Sequence, residues 1–351
     1  MSGSIGVEIV AGVKKATVWG TPVALGANDG ILILPTTLKK RADVEVDDSL
    51  GNYFSVDGDP GMIVADGDIP MYLRYDGCDL PLANFMGVAG APTQQGATAA
   101  YAFIYKWLKA LDGKFITFAK SMTHYVDEVP TLKVDGITIK GEVGKALQLI
   151  INAIPINKVH DSATNTLGTF ANVTYFEKAN RIMFSDGVFR LNDQSDVELA
   201  TGHKIYPASF ELTAKRKQKG EYTGQYRTTG ANPQDLIDEP TNNDTPEIRL
   251  KLQFPRHSGV TYLNALGADT RKKADIAFTG GVIEGAYSRK FMLQFPHLQL
   301  ASDDVADEKG IIKEPLEFIV HGATAAPAGM TGITDPFWIS GINRRTTDPL
   351  A

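Results

Sequence analysis

The side chains best suited to chemistry are scattered along this chain and share no spacing typical of an active site. No Gly-x-Ser-x-Gly turn for a serine nucleophile occurs, and no two histidines have the His-Glu-x-x-His spacing of a zinc-binding helix. The six histidines are His124, His160, His203, His257, His297 and His321. Because no nucleophile, base and orienting group converge, we expect no catalytic residue and no enzyme activity.

Metal and phosphate sites are no better supported. Two acidic turns between residues 57 and 68 lack the twelve-residue loop and terminal glutamate of a calcium site. The Gly-Lys pair within residues 141–146 resembles part of a phosphate-binding loop. However, Ile139 replaces the first glycine of such a loop, and Ala146 replaces its serine or threonine. The single cysteine, Cys78, can form neither an internal disulfide nor a zinc site. We predict no metal and no cofactor.

The composition is that of a folded protein rich in strands. The 351 residues are enough for two domains, and 43% of them are hydrophobic. Charged residues, at 22%, are close to the globular average, so disorder of the whole chain is excluded. Glycine is frequent, with 34 residues, and its combination with β-branched residues favours strands and turns.

The charge and hydropathy of the chain argue against two kinds of partner. A net charge of −6 is unsuited to sequence-independent DNA binding, which needs a basic face. No apolar run approaches the roughly 18–20 residues that cross a bilayer. Neither a basic nor an apolar leader follows Met1. We therefore expect assembly in a reducing cytoplasm, without membrane contact.

Alternation of apolar and polar residues predicts strands through much of the chain. The clearest stretches are 44–46, 71–75, 210–212, 248–254 and 316–320. Helical spacing occurs in three short stretches, Leu80–Met86, Tyr101–Leu111 and Val260–Leu266. The expected fold class is mainly β, with two tandem β-sandwich or barrel units and one short flanking helix in each.

An internal repeat supports this division. Asp68–Tyr75 matches Glu247–Phe254, since each starts with an acid and isoleucine, then alternates, and ends on an aromatic residue. A short helical stretch follows and ends at glycine, 18 residues after the isoleucine in one copy and 19 in the other. Further matches in the same order are 42–46 with 208–212, 137–139 with 298–300, and 147–151 with 316–320. Four ordered matches predict a duplication.

The repeat sets the expected boundaries. The first unit spans 1–154, a connecting segment 155–180, the second unit 181–322 and a C-terminal arm 323–351. The arm is rich in Ala, Pro, Gly and Thr and carries Phe337 and Trp338. We expect these two rings to dock on a neighbouring copy, with a frayed tail as the open alternative.

The chain resembles the tail tube proteins of long-tailed bacteriophages, of the larger two-domain kind. Gly12–Pro22 is similar to the opening motif of that family, Leu73–Gly87 to its strand-and-helix motif, and Ile137–Ile151 to its core hairpin. The resemblance implies two tail-tube-like β units and a structural role in the virion. It implies rings of six units, hence three duplicated chains with pseudo-six-fold symmetry, stacked into a conduit for phage DNA.

The resemblance also implies partners. They are other copies of the chain, a tape-measure protein, a tail terminator, and a baseplate or initiator protein, met during assembly in the host cytoplasm. Double-stranded DNA would pass through the lumen without specific binding, along a net acidic or neutral surface.

In such proteins a long loop of each unit reaches toward the next ring. Here residues 42–68 contain eight acids and no base, whereas 213–229 contain five bases and one acid. We expect these opposite charges to set the register between rings. The candidate contact residues, with the two rings of the arm, are Asp47, Asp48, Asp57, Asp59, Lys215, Arg216, Lys217, Lys219, Phe337 and Trp338. Two solvated hairpins are the open alternative.

The second functional hypothesis is a β-sandwich module that binds a carbohydrate or a receptor. It predicts exposed aromatic residues clustered on loops, and Tyr53, Tyr222 and Tyr226 are the candidates. The same residues serve contacts between rings equally well, so the sequence alone does not separate the two hypotheses.

Overall fold

The computed structural model describes residues 9–47, 53–54, 58–222, 236–257, 259, 261–303 and 311–351, with the backbone alone at 59, 60, 261–263 and 303. The chain is mainly β, as predicted. The strands are β1 Ala11–Ala16, β2 Gly30–Ile31, β3 Lys39–Val46, β4 Gly58–Tyr72, β5 Gly87–Val88, β6 Thr93–Gln94, β7 Tyr101–Trp107, β8 Phe115–Ser121, β9 Val126–Glu142, β10 Gln148–Pro155, β11 Val159–His160, β12 Gly187–Asp193, β13 Lys204–Ile205, β14 Ser209–Lys215, β15 Gln218–Lys219, β16 Thr241–Asn242, β17 Glu247–Phe254, β18 Lys272–Glu284, β19 Tyr287–Asp303, β20 Glu314–Val320 and β21 Trp338–Asn343. The α-helices are α1 Asp79–Met86, α2 Leu167–Phe170 and α3 Thr261–Gly267.

One antiparallel sheet runs through both halves of the chain. Its strand order is β3–β4–β10–β9–β14–β17–β20–β19–β18–β12. β8 and β1 branch from the first part of β9, and β21 and β7 branch from the first part of β19. The C-terminal strand β21 therefore connects β7 of the first half with β19 of the second.

A single row of buried side chains crosses seven strands of this sheet. Each member lies opposite the next, and all belong to the same apolar core. Burial of each such side chain contributes about 1.5–3 kcal/mol, so the row is a major source of stability. In strand order it consists of Met71, Leu149, Ile139, Leu212, Leu250, Phe318 and Leu300.

Most residues that the internal repeat matches lie at corresponding positions of this row in the two halves of the chain. Met71, Leu149 and Ile139 occupy β4, β10 and β9, as Leu250, Phe318 and Leu300 occupy β17, β20 and β19. These are the residues that the sequence comparison aligned.

The upstream part of that alignment was wrong. Glu247 lies opposite Lys215, whereas its counterpart Asp68 accepts a main-chain hydrogen bond from Thr37. The strand that matches β14 is therefore the stretch around 34–37. Residues 42–46 belong to a hairpin that extends farther along β4.

Two of the three predicted helices are present. Leu80–Met86 lies in α1, which ends at Gly87 with φ 87°. A side chain at Gly87 would clash, since its Cβ would lie 2.5 Å from Leu111 Cδ2. Residues 261–266 lie in α3, where the left-handed residue after the helix is Asp269 rather than the predicted glycine.

The third predicted helix, Tyr101–Leu111, was wrong. Residues 101–107 form β7, which pairs with β21 from Tyr101 opposite Asn343 to Tyr105 opposite Ile339. Aromatic residues and isoleucine suit a strand with neighbours on both sides. A strand partner more than two hundred residues away overrides the local helical spacing.

Candidate assembly interface

A direct pairing of two strands continues the sheet from one half of the chain into the other. β9 of the first half pairs with β14 of the second, from Glu142 opposite Ser209 to Gly136 opposite Lys215. At the far end the Arg216 N–H donates to the Asp135 carbonyl over 2.7 Å. The contact, which we call the seam, is a main-chain ladder, so the sheet continues without interruption from one half into the other.

The same sheet has two open edges. At one end, the Leu34 N–H donates to the Pro70 carbonyl over 2.8 Å, so residues 32–38 lie along β4 as β14 lies along β17. At the other end, residues 299–303 of β19 pair with β20. Within the described residues neither segment has a strand on its other side. Open edges of this kind are templates for pairing with another chain.

A hairpin of β3 and β4 extends beyond the sheet at the first of these edges. All of β3 is exposed. Near the end of the hairpin the side chains of Tyr53 and Phe54 are 92% and 77% exposed, and their rings meet edge to face at 4.7 Å. Adjacent exposed aromatic rings are typical of an interaction site.

The acidic candidates lie along this hairpin where the structure describes them. Asp47 follows β3 and is exposed. Asp59 lies on β4, with only its backbone described, and Asp48 and Asp57 lie outside the described residues. The expected charge contact between rings stays a prediction for these residues.

Arg216 does not lie on an assembly surface. Its side chain is fully buried and donates hydrogen bonds to the carbonyls of Phe85 at 2.7 Å, Leu108 at 2.7 Å and Met86 at 3.1 Å. The guanidinium also lies 3.8 Å from the centre of the Trp107 ring. Burial lowers its pKa to about 9, which leaves it charged at neutral pH. Arg216 thus ties the second half to the C-terminal end of α1 in the first.

The three basic neighbours of Arg216 remain at the surface. Lys215 is exposed at the end of the seam. Lys217 Nζ lies 3.3 Å from Asp244 Oδ2, and Lys219 Nζ lies 2.7 Å from Glu221 Oε1. Two of the three cations therefore have carboxylate partners within their own chain.

The rings of the C-terminal arm are also inside their own chain, and not on a neighbour as expected. Phe337 is 0% exposed and lies 6.0 Å from Trp107 and 5.9 Å from Phe295 between ring centres. Trp338 is 8% exposed, and its Nε1–H donates to Asp335 over 2.8 Å. They are buried because β21 pairs with both β7 and β19. Phe337 and Trp338 are therefore no longer candidates for contacts between copies.

The described side chains include no metal-binding cluster and no reactive thiol. Cys78 is buried, and burial raises the pKa of its thiol to about 12, so it stays protonated. No group of three or more His, Cys, Asp or Glu residues able to hold a metal occurs among the described residues. No described helix is long and apolar enough to cross a membrane.

The three candidate tyrosines support a carbohydrate or receptor site only weakly. The Tyr222 hydroxyl donates to the Ile63 carbonyl over 2.9 Å, so its polar end is engaged within the chain. Tyr226 lies outside the described residues. Tyr53 is exposed but lies on the hairpin, apart from any groove described here.

Sequence reasoning missed a charged row on the polar face of the sheet. Lys140, Glu211, Lys251 and Glu317 lie opposite one another on β9, β14, β17 and β20. Alternation had identified three of these residues as the polar positions of strands. Their adjacency depends on strand register between distant segments, which no local pattern gives.

A comparison with protein families identifies the family of the chain. A family model described as phage tail tube protein matches residues 6–336, nearly the whole chain. The chain therefore belongs to the phage tail tube protein family. Membership gives it a structural, non-enzymatic role in the tail of a virion. A comparison with curated proteins finds no match.

Proposed function

We propose that this chain is the tube subunit of a phage tail and closes rings by repeating its own seam between copies. The observation that carries the proposal is the β9–β14 pairing within the chain. Residues 299–303 correspond to the part of β9 at the seam, and residues 32–38 correspond to β14. A second copy placed with the same geometry would pair these two open edges.

The proposed ring contains three copies. Each chain contributes two matching sets of four segments, residues 32–38 with β4, β10 and β9, and β14 with β17, β20 and β19, related by the register described above. If a duplication produced these sets, three chains supply the six units of a tail tube ring. The contact is head to tail and closes because the rotation between units closes. Closure also removes both open edges, which lowers the risk of aggregation.

Stacking of rings is assigned to the hairpin. It extends past the sheet, and its exposed Tyr53 and Phe54 offer an apolar contact at its end. The acids of the same stretch of sequence, Asp47, Asp48, Asp57 and Asp59, are the proposed negative partners in stacking, and Lys215 and Lys219 of a neighbouring ring are the proposed counterparts. In an assembled tube, the end of each hairpin should contact a copy in the next ring. A hairpin whose end points into solvent would exclude this role.

The stacked rings would form the conduit for phage DNA. In this proposal the tube is assembled in the host cytoplasm on a baseplate or initiator, its length is set by a tape-measure protein, and it is closed by a terminator. What supports the conduit is membership of the family together with the polar face of the sheet, which would line the lumen.

Cross-linking of paired cysteines tests the edge contact. Thr138 lies opposite Thr213 at the seam, and the corresponding pair between copies is Gln299 with Leu34. The double variant Q299C and L34C should cross-link between chains, since directly opposite Cβ atoms in antiparallel strands are about 4.5–5.5 Å apart. With a short thiol cross-linker, denaturing gels of assembled protein should show dimers and trimers and nothing longer.

The matched control is the pair T138C and T213C, which should cross-link within one chain and leave the apparent mass unchanged. Native Cys78 is buried and should not compete for the reagent. If assembled protein gives no product between chains while the control pair reacts, the proposed edge contact is wrong. Products up to six chains would retain the contact and reject the three-copy ring.

A further inference from the structure

One face of the central sheet is polar and lines a groove. Strands β4, β10, β9, β14, β17 and β20 bury alternate residues in the core. At one end of these strands, residues of the opposite face and of the loop 144–146 are among those that line a volume of about 840 Å³. On β9, for example, Ile137 and Ile139 are buried whereas Thr138 and Lys140 are partly exposed. The groove is therefore one continuous surface that crosses the seam.

Charges of opposite sign alternate across this surface. Lys140 lies opposite Glu211, which lies opposite Lys251, which lies opposite Glu317. We call these four residues the charge ladder. Opposite charges on directly paired residues attract each other across strands. The ladder places two carboxylates among cations that would otherwise form a basic stripe.

Glu317 of the ladder and the neighbouring Glu247 contact cations directly. Glu317 Oε1 accepts from Arg249 Nη1 over 2.6 Å, and Glu317 Oε2 lies 3.5 Å from Lys251 Nζ. Arg249 Nε also donates to Glu247 over 2.6 Å. These hydrogen bonds lower the pKa of Glu317 and of Glu247, so both carboxylates stay ionised at neutral pH.

The whole groove is close to electrical balance. Its cations, with those of the same face beside it, are Lys140, Lys145, Arg181, Lys215, Arg249 and Lys251. The carboxylates of the same surface are Asp68, Glu142, Glu211, Glu247 and Glu317. Without its carboxylates this concave surface would carry only positive charges, which attract a polyanion.

We propose that Glu211 and Glu317 act as built-in counterions that prevent the groove from holding double-stranded DNA. The proposal rests on the proposed function, in which this face lines the tube. Binding of DNA to basic residues is driven largely by release of counterions from both partners. A lysine or arginine already neutralised by a fixed carboxylate contributes little to that release. Duplex DNA then meets a polar, nearly neutral wall along which it can slide.

The test is DNA binding by full-length E211Q/E317Q. Labelled duplex DNA is titrated at low salt and followed by fluorescence anisotropy, at protein concentrations where light scattering finds single chains only. We expect affinity at least tenfold higher than for the unmodified protein. Three cations lose a carboxylate neighbour, so log K should fall with log salt at a slope of up to about −2.7.

The matched control is K140Q/K251Q, which changes the same row by the same number of charges and should not gain affinity. Thermal melting by circular dichroism verifies that each variant is folded, and the single variant E211Q, which breaks no ion pair of Glu317, gives a milder second test. If the glutamine variants bind no better than the unmodified protein, or the control gains as much, the proposal is overturned. Since single chains are measured, either result is independent of ring closure, which the cross-linking experiment reports separately.

Discussion

Arg216→Ala will lower the free energy of unfolding by about 3–5 kcal/mol, because each buried acceptor that loses its donor costs about 1–3 kcal/mol. Three buried carbonyls, of Phe85, Met86 and Leu108, would lose a charged donor. Truncation would also leave a cavity beside the Trp107 ring, which the guanidinium contacts. Because these groups belong to the first half and Arg216 to the second, the loss should loosen the seam.

Chemical denaturation measures this effect from the midpoint and slope of unfolding. Arg216→Lys should recover only part of the loss, since an ammonium group cannot reproduce the planar donor geometry of the guanidinium. The neighbouring Lys215→Ala removes a similar charge from the surface and should leave stability unchanged. Equal effects of the alanine variants at 215 and 216 would show that Arg216 contributes nothing through its buried contacts.

Asp76→Ala will have an effect of comparable size, about 3–5 kcal/mol, because the buried Arg289 loses its close carboxylate partner and keeps only Glu177, whose Oε2 lies 3.9 Å from Arg289 Nη2. Asp76 is fully buried, and its Oδ2 accepts from Arg289 Nε over 2.8 Å. Its other oxygen accepts from the Arg344 N–H over 2.8 Å. One carboxylate thus connects the loop before α1 with β19 and with the end of β21.

A double-mutant cycle with Arg289→Met measures the coupling directly. The double variant should be more stable than Asp76→Ala alone, since it contains no unpaired buried charge. Glu221→Ala, which breaks the exposed pair with Lys219, should change stability little. Strictly additive effects at 76 and 289 would contradict a direct interaction between the two side chains.

The sequence predicted best those elements whose own residues determine them. The alternation in 248–254 and 316–320 predicted β17 and β20, because a strand with one buried face needs apolar side chains at every second position. Helix α1 followed from a compact apolar stretch closed by Gly87. The repeat also aligned the residues that now form matching parts of the buried row.

The failures all involve partners distant in sequence. Residues 101–107 have helical spacing but pair with β21, and that pairing decides their structure. Lys215, Arg216 and Lys217 form a uniform basic run in sequence, yet only Arg216 is buried, since the end of β14 passes beside α1. No property of the run itself distinguishes its middle residue.

Contacts between copies were also hard to predict from the sequence, as the C-terminal arm shows. The two large rings were expected to dock on a neighbouring copy, but the surface they contact is that of their own chain. The open edges at 32–38 and 299–303 had no sequence signal at all, because an edge is defined by a partner that is missing. Only the strand order of the described residues shows that each end of the sheet has an edge able to form the same pairing as the seam.

The measurement that tests the central claim most directly is electron cryomicroscopy of the assembled protein, at a resolution that separates strands. We expect rings of three chains with pseudo-six-fold symmetry, in which residues 32–38 of one copy pair with 299–303 of the next. The polar groove should face the lumen, and the hairpin should contact the adjacent ring. Rings in which these two edges do not meet, or assembly through another surface with both edges open, would contradict the account.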